Sequence, residues 1–213
     1  MKRTLINWLG LLGVVSLISY TVAVVFSPMA YPGYNWMSQA VSDLSANNAP
    51  SKILWNRLAS PYGPCGIVSV MMVCVGVRNK LNKIIRVGIY LFAIMNWISN
   101  VGYSMFPLSD SGNPGTIQDI MHIYVITVLV VLLSVISLIT IMIGGYREKK
   151  YRGIAKWATL ALLLMMTGAI GTNIVPKDFF GIPERFSVFA ATGFNAVLGI
   201  YLLKNFWEED KNE

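Results

Sequence analysis

The sequence has little charge and few side chains that bind metals or carry redox chemistry. Asp, Glu, Lys and Arg make up 13% of its 213 residues, about half the share typical of a soluble domain. It has one histidine and two cysteines, and it contains neither a CxxC pair nor a motif for nucleotide phosphates or zinc hydrolases. Cys65 and Cys74 share one apolar stretch, where helical spacing puts them about 13 Å apart, too far for a disulfide. We therefore predict no cofactor and no metal site.

Apolar residues take the place of the missing charge, since 55% of the chain is hydrophobic. A helix needs roughly 20 apolar residues to cross the hydrocarbon core, and lipid leaves an open strand's backbone without hydrogen-bond partners. Six runs meet this requirement. The predicted spans are residues 4–26, 53–77, 87–106, 120–145, 157–175 and 186–203. The sequence thus predicts an all-α polytopic membrane helical bundle, formed as one domain over residues 1–213.

The first run has a second interpretation, because Lys2 and Arg3 before an apolar stretch also describe a secretory signal. A signal core has about 7–15 apolar residues and is followed by small residues at a cleavage site. This run is longer and lacks a clear site of that kind. We expect it to remain as the first span.

Positive charge is distributed unevenly between the two sides of the predicted bundle. Lys52, Arg57, Lys177 and Arg185 lie on one side, and the other 13 of the 17 Lys and Arg residues lie on the opposite side. Basic loops stay in the cytoplasm, so we expect a cell-membrane protein with both termini cytoplasmic. Its net charge of +7 is accounted for by this topology. Membrane lipids are therefore the expected partners, nucleic acid is not expected, and nothing indicates a protein partner.

The longest outward loop, residues 27–52, has a helical pattern of its own. Trp36, Val41 and Leu44 repeat on one side, with Ser42 and Asp43 on the other. This pattern predicts a short amphipathic helix lying in the membrane interface, with Trp36 as an anchor. Such a helix is either a simple surface element or a cover over a site.

Polar residues also occur within the spans, all between the mid-plane and the outward end. Asn96, Asn100 and Tyr103 share one face of the third span, and Thr192 and Asn195 share a face of the sixth. Asn173 lies near the outward end of the fifth. Polar side chains in lipid normally form hydrogen bonds between helices. Their common depth also permits a polar cavity that opens outward.

The outward side carries most of the candidate titratable groups. Asp119 and His122 are three residues apart, and with Asp110 or Asp43 they form a candidate set for proton transfer or metal binding. Thr116 and Asp119 have capping-box spacing, however, so helix capping is the simpler role for Asp119.

Two further charges lie near helix starts on the same side. Glu184 follows a proline at the start of the sixth span, where a first-turn acid is ordinary. Arg57 lies one to two turns inside the second span, before Pro61 and Pro64. It should either extend to the interface or pair with Asp43 or Asp110.

The order of several short motifs resembles one known family. They are Tyr31-Pro-Gly-Tyr-Asn-Trp36 leading to Ser42-Asp-Leu-Ser45, Trp55-Asn56, Phe106-Pro107 with Asp110 and then His122, and Gly181-Ile-Pro-Glu-Arg-Phe186. Together they are similar to the domain-of-unknown-function 998 family of six-helix prokaryotic membrane proteins. In that family the acid often follows Phe-Pro directly, whereas Leu108 and Ser109 intervene here. The resemblance implies a fold and a set of outward signature residues, but no substrate.

Three functions remain open. An outward-facing polar pocket could bind a lipid or small amphipathic molecule, an intramembrane hydrolase or lipid-modifying enzyme could use His122 with nearby carboxylates, or the chain could be a structural subunit. The catalytic candidates are His122, Asp43, Asp110 and Asp119. The ligand-binding candidates are Ser42, Asp43, Arg57, Asn100, Tyr103, Asp110, His122, Asn173, Glu184 and Arg185.

The charge distribution makes the topology testable. A reporter that works only in the cytoplasm should be active when fused after Glu213, because the basic side stays inside. The same reporter inserted between Asn47 and Asn48 should be inactive, which provides the matched control. A silent fusion at Glu213, or protein recovered as a monomer without detergent, would contradict the expected topology.

Overall fold

The computed structural model of the protein describes residues 3–78, 80–111 and 115–206. Within these ranges the chain is helical and has no strand, and six stretches are long and apolar enough to cross a membrane. The spans are Leu5–Ala30, Lys52–Val77, Lys83–Met105, Ile117–Tyr146, Lys149–Ile174 and Lys177–Leu203. The predicted all-α bundle of a multi-pass membrane protein is confirmed.

Several spans consist of more than one helical segment. The longer segments are Leu5–Leu9 and Leu12–Phe26 in the first span, Lys52–Leu58 and Tyr62–Val77 in the second, Lys83–Met105 in the third, Ile117–Ile120, the π-helix Met121–Ile126 and Thr127–Tyr146 in the fourth, Arg152–Ile174 in the fifth and Gly181–Leu203 in the sixth. Short 3-10 helices cover Ser27–Ala30, Ser42–Ser45, Lys149–Tyr151 and Lys177–Phe179.

Some helices begin earlier than hydropathy predicts, because charged residues continue a helix beyond the apolar run. The third begins at Lys83, where the Asn82 side chain accepts a hydrogen bond from the backbone N–H of Ile85 at 2.9 Å. This is an ordinary N-cap. Arg152 likewise starts the fifth helix ahead of its apolar part. The helices therefore extend past their apolar runs at the end that carries most of the basic residues.

The prolines of the second span interrupt its helix between Leu58 and Tyr62, as expected. The first span supplies the hydrogen bonds that stabilise the break. Ser19 Oγ donates to the Leu58 carbonyl at 2.7 Å, and Ser16 Oγ donates to the Tyr62 carbonyl at 2.7 Å. Because lipid offers no partner for a freed carbonyl, the break depends on the neighbouring helix.

The spans form a ring in which neighbours in sequence are neighbours in space. Each span packs on the next, the first packs on the sixth, and the second also contacts the sixth. Loop residues 31–51, 106–111, 115–116 and 175–180 meet at one end, which we call the acidic end because it carries Asp43, Asp110, Asp119, Asp178 and Glu184. Residues 80–82 and 147–151 lie at the opposite, basic end.

The apolar core is concentrated toward the basic end. Its fully buried side chains come from five spans and include Val73, Ile85, Phe92, Leu138 and Leu198. The rings of Phe92 and Phe194 meet at 5.2 Å within this core. Toward the acidic end the polar residues Asn100, Tyr103 and Glu184 remain partly exposed. The tightly packed apolar core therefore lies in the basic half of the bundle, and the partly exposed polar residues lie in the acidic half.

The first and sixth spans touch through their backbones. A Cβ added at Gly199 would lie 2.0 Å from the Gly10 carbonyl oxygen, so a side chain at this position would push the helices apart. Ser69 Oγ donates to the same Gly10 carbonyl at 2.8 Å. Small residues commonly permit such close helix contacts in membranes. This contact holds the first span in the ring.

Gly199→Ala should destabilise the protein by about 1–3 kcal/mol, since the new methyl group meets backbone that cannot rotate away. The measurement is reversible unfolding in mixed detergent micelles. Gly193→Ala is the control in the same helix, because no atom lies within 4 Å of its added Cβ. That change should be neutral or stabilise by up to about 1 kcal/mol through helix propensity. Equal effects of the two changes would contradict the proposed backbone contact.

Candidate functional site

The loops of the acidic end pack against each other and cover the bundle there. The backbone N–H of Asn47 in the first loop donates to the Leu108 carbonyl in the second at 2.8 Å. The N–H of Gly181, where the sixth helix begins, donates to the Met37 carbonyl at 2.7 Å. A Cβ at Gly181 would lie 2.4 Å from the carbonyl oxygens of both Trp36 and Gln39. The first loop therefore rests directly on the start of the sixth helix, and glycine is required at the contact.

The helix expected within the first loop is confirmed only over Ser42–Ser45, and it is a 3-10 helix. Residues 36–38 form a turn instead. Trp36 is exposed as an anchor should be, but Val41 and Leu44 are buried, and so is Asp43 at 6% exposure. An amphipathic surface helix would leave its acid in water. The segment is folded into the bundle because contacts with the sixth helix outweigh its local helical pattern.

Arg185 binds the first loop to the sixth helix. Its Nη1 donates to the carbonyls of Gln39 at 3.1 Å and Gly181 at 2.7 Å. Its Nη2 donates to the Tyr34 hydroxyl at 2.7 Å, and its guanidinium lies 5.9 Å from the Trp36 ring centroid. This arrangement suits a planar cation with several donors.

Tyr34 completes the contact between Arg185 and the loop. Its hydroxyl donates to the Ala40 carbonyl at 2.8 Å while it accepts from Arg185. Burial raises the pKa of Tyr34 to about 12, so the phenol keeps the proton that this donation needs at physiological pH. Arg185 was identified from the sequence, whereas Tyr34 was not singled out, although it lies in the Tyr31–Trp36 motif.

Glu184 faces the same loop from the first turn of the sixth helix. Its Oε2 accepts from the Val41 backbone N–H at 3.2 Å, and the carboxylate interacts electrostatically with Arg185 and Asp43. The expectation of an ordinary first-turn acid is correct for its position. The Glu184 carboxylate, however, accepts its hydrogen bond from the first loop and not from its own helix. The loop lies across the start of that helix, of which Pro183 is the third residue. Glu184 is thus a link between loop and bundle.

An aromatic group lies next to Val41. We call it the Tyr20 cluster and define it as Tyr20, Val24, Val41, Trp55, Tyr62 and Phe189. The Tyr20 ring centroid lies 5.7 Å from that of Trp55, 4.7 Å from Tyr62 and 5.8 Å from Phe189. The cluster was not predicted from the sequence. Its one signal was the presence of tyrosines in otherwise apolar runs near the outward end.

The polar residues within the spans bond mostly to their own helices. Asn96, Asn100 and Asn173 each donate a side-chain N–H to the carbonyl four residues earlier, at 2.8–2.9 Å. Thr192 does the same through its hydroxyl. The expected bonds between helices are confirmed for two of the named residues, Asn195 and Tyr103. Asn195 Nδ2 donates to the Gly66 carbonyl at 3.0 Å, and the Tyr103 hydroxyl donates to Thr127 Oγ1 at 3.0 Å.

His122 lies in the π-helix Met121–Ile126 and is buried. Its Nδ1 lies 2.7 Å from the Phe106 carbonyl oxygen, which can only accept, so Nδ1 carries the proton. The Tyr103 ring lies 4.7 Å from the imidazole, and Thr127 Oγ1 donates to the His122 carbonyl at 2.8 Å, where the π-helix ends. The imidazole is therefore oriented by a backbone carbonyl.

Asp119 caps the fourth span, as predicted. Its carboxylate accepts from the backbone N–H and hydroxyl of both Ser109 and Thr116, and from the N–H of Gly115. The side chain is fully buried. Within the described ranges, no three His, Cys, Asp or Glu residues come together as metal ligands.

The remaining candidates lie outside these contacts. The Asp110 carboxylate accepts from Asn48 Nδ2 within the loop layer, Ser42 Oγ is part-way exposed at the 3-10 helix, and Asn173 is exposed. Arg57 is exposed as well, which favours the alternative that it extends to the interface rather than pairing with a carboxylate. The structure thus brings Asp43, Glu184 and Arg185 together at the start of the sixth helix.

Comparison with known proteins gives one family and no activity. A family model described as "Protein of unknown function (DUF998)" matches residues 14–201. No curated protein and no solved structure matches the chain. The function therefore has to be inferred from the arrangement of the acidic end.

Asp119→Ala should destabilise the protein by about 1.5–3 kcal/mol, because it removes the charged acceptor of four part-buried hydrogen bonds from Ser109 and Thr116. Detergent-micelle unfolding would measure the loss. Asp110→Ala provides the control, since that carboxylate binds an exposed asparagine, and its effect should stay below about 1 kcal/mol. If Asp119→Ala cost no more than Asp110→Ala, the capping role would be wrong.

Proposed function

This chain belongs to the DUF998 family of proteins of unknown function, and from its geometry we propose that it binds a lipid or small amphipathic molecule in a polar pocket at the acidic end. The observation that carries the proposal is the position of Val41. Its side chain packs in the Tyr20 cluster, while its backbone N–H binds the Glu184 carboxylate. Charged groups and aromatic rings therefore adjoin one another where the spans meet the loops.

Such an arrangement suits a ligand with an apolar part and a polar head. Trp55, Tyr62 and Phe189 are only partly buried, so their rings offer apolar surface beyond what the cluster itself covers. Ligand sites are commonly lined by aromatic residues with a few polar groups that set orientation. Glu184 and Tyr103 supply the polar groups, and both are partly exposed.

We also place the site outside the cytoplasm, at the outer face of the cell membrane. The basic end carries most of the Lys and Arg residues, and short basic loops are retained in the cytoplasm. A ligand would then reach Glu184 from the extracytoplasmic side or laterally from the outer leaflet. Both routes suit an amphipathic molecule.

A binding role is favoured over intramembrane hydrolysis by the partners of His122 and Asp119. A carboxylate that orients histidine would raise its basicity and stabilise the imidazolium. Here Phe106 provides a neutral carbonyl to His122, and the Asp119 carboxylate is occupied by Ser109 and Thr116. The purely structural alternative explains Asp119 and the bond from the Val41 N–H to Glu184, but it does not explain why Glu184 stays partly exposed beside the Tyr20 cluster.

Phe189→Ala should lower the amount of lipid or amphiphile retained by the purified protein at least threefold, because it removes one wall of the Tyr20 cluster. Native mass spectrometry after exchange into a detergent that strips annular lipid would measure retention. Phe186→Ala is the matched control, since that ring is 41% exposed on the same helix. Equal retention by both variants and the parent protein would contradict a site at the Tyr20 cluster.

A further inference from the structure

The basic end carries a concentration of positive charge that the proposed site at the acidic end does not use. Residues 80–86 and 146–156 contain eight Lys and Arg residues and one acid, Glu148. Most of the basic side chains are exposed, and we call the exposed ones the basic surface. They are Lys80, Lys83, Arg147, Lys149, Lys150, Arg152 and Lys156. This surface lies on two segments that are far apart in sequence.

Asn82 joins the two segments. Its Oδ1 accepts from the Ile85 N–H at 2.9 Å and caps the third helix. Its Nδ2 donates to the Gly144 carbonyl at 3.0 Å and to Glu148 Oε1 at 2.8 Å, at the end of the fourth span. One side chain therefore has its acceptor on the first segment and its donors on the second.

Tyr151 makes a second connection between the same segments. Its side chain is 2% exposed and packs in the apolar core, while its hydroxyl donates to the Lys80 carbonyl at 3.3 Å. Retention of a loop in the cytoplasm requires positive charge but no particular arrangement of it. The fixed backbone under the basic surface is therefore not explained by topology alone.

The charges of the basic surface also do not stabilise the helices that carry them. Lys83 and Arg152 are the first residues of the third and fifth helices, and the first turns of both helices lack an acid. A cation at this position opposes the positive end of the helix dipole. The Glu148 carboxylate accepts from Asn82 and lies 3.6 Å from Lys150, so a single acid serves the whole surface. An anion from outside the chain would offset the remaining charge.

Exposed aromatic rings place the basic surface at the level of lipid headgroups. Tyr146 is 45% exposed and Trp157 is 48% exposed, and the Tyr146 hydroxyl lies 3.1 Å from Thr159 Oγ1 of the fifth span. Trp and Tyr are enriched where a membrane meets water. Arg147 directly follows Tyr146, and Lys156 directly precedes Trp157. The positive charges are thus adjacent in sequence to rings that mark the interface.

We propose that the basic surface binds the headgroups of anionic phospholipids in the leaflet at the basic end. The phosphodiester oxygens accept hydrogen bonds from the Lys and Arg side chains, and Arg can donate two at once. The acyl chains pack along the spans beside Tyr146 and Trp157. Charge complementarity selects the lipid, because the surface holds one acid among its many cations. This inference is independent of the proposed function, which concerns the opposite end of the bundle.

The test measures the binding of single lipids to the delipidated full chain in detergent by native mass spectrometry. The probes are phosphatidylglycerol and phosphatidylcholine with the same acyl chains. We expect phosphatidylglycerol to bind at least about fivefold more tightly, because a basic surface attracts anionic headgroups. The double variant Lys83→Gln/Arg152→Gln should reduce this preference at least about threefold.

A second variant tests the fixed arrangement without changing any charge. Asn82→Ser keeps a side-chain acceptor that caps the third helix but removes the donors to Gly144 and Glu148, and it should reduce the preference at least about twofold because a loosened surface loses preorganisation. Tyr151→Phe, which removes the bond to Lys80, should act in the same direction. These variants keep the test decisive if the double variant does not fold.

Two controls separate the surface from net charge and from the acidic end. Lys177→Gln removes an exposed cation at the acidic end, and Phe189→Ala alters the Tyr20 cluster. Both should leave the preference for phosphatidylglycerol unchanged. The reporter fused after Glu213 shows whether the double variant keeps the topology of the parent protein.

Several outcomes would overturn the proposal. Equal affinity for the two lipids, or an equal loss of preference in Lys177→Gln, would show that the basic surface recognises no headgroup. Competition by inorganic phosphate at concentrations that bind as tightly as the lipid would assign the surface to a free anion. A preference that emerges only in Glu208→Gln/Glu209→Gln/Asp210→Asn would assign it to the acidic segment of the chain itself. The proposed pocket at the acidic end would stand in each case.

Discussion

Hydrogen bonds between spans compensate for the helix interruptions of the first and second spans, and the packing of the bundle around them depends on these bonds. In hydrocarbon a carbonyl released by a proline or a glycine has no water to bind. The first span therefore donates from Ser19 to Leu58 at the proline break of the second. The second span donates from Ser69 to Gly10, where the first is interrupted. These reciprocal bonds explain why the two spans and the sixth pack so closely.

The same constraint shapes the acidic end, where charge must be balanced at the edge of the hydrocarbon. Arg185 satisfies its donors with carbonyls and a phenol of the first loop, and Glu184 accepts from the Val41 N–H. The loop is thereby held in a fixed conformation that its own sequence does not favour. Rigid polar groups at the end of a packed apolar core are what a selective binding site requires.

Much of the fold could be predicted from the sequence, because apolar run length alone determines whether a segment spans a membrane. The Asp119 cap was also predictable, since capping depends on spacing within four residues. The candidate site could be predicted from the sequence only in part. Glu184 and Arg185 were identified, but the Tyr20 cluster joins spans that are far apart in sequence. The first loop was misjudged because its hydrogen bonds to Gly181 and Arg185 are tertiary contacts.

The outward residues named from the family resemblance divide into two groups with different physical roles. Asp110 and His122 bind partners in the loop layer and at the end of the third span, whereas Asp43, Glu184 and Arg185 surround the start of the sixth helix. Tyr103 lies beside His122, with 4.7 Å between the ring centroids, and donates to Thr127, whose hydroxyl in turn donates to the His122 carbonyl. The third span therefore holds the π-helix that carries His122. Because π-helices frequently occur at functional sites, these contacts position the imidazole at the same end of the bundle as Glu184 and Arg185.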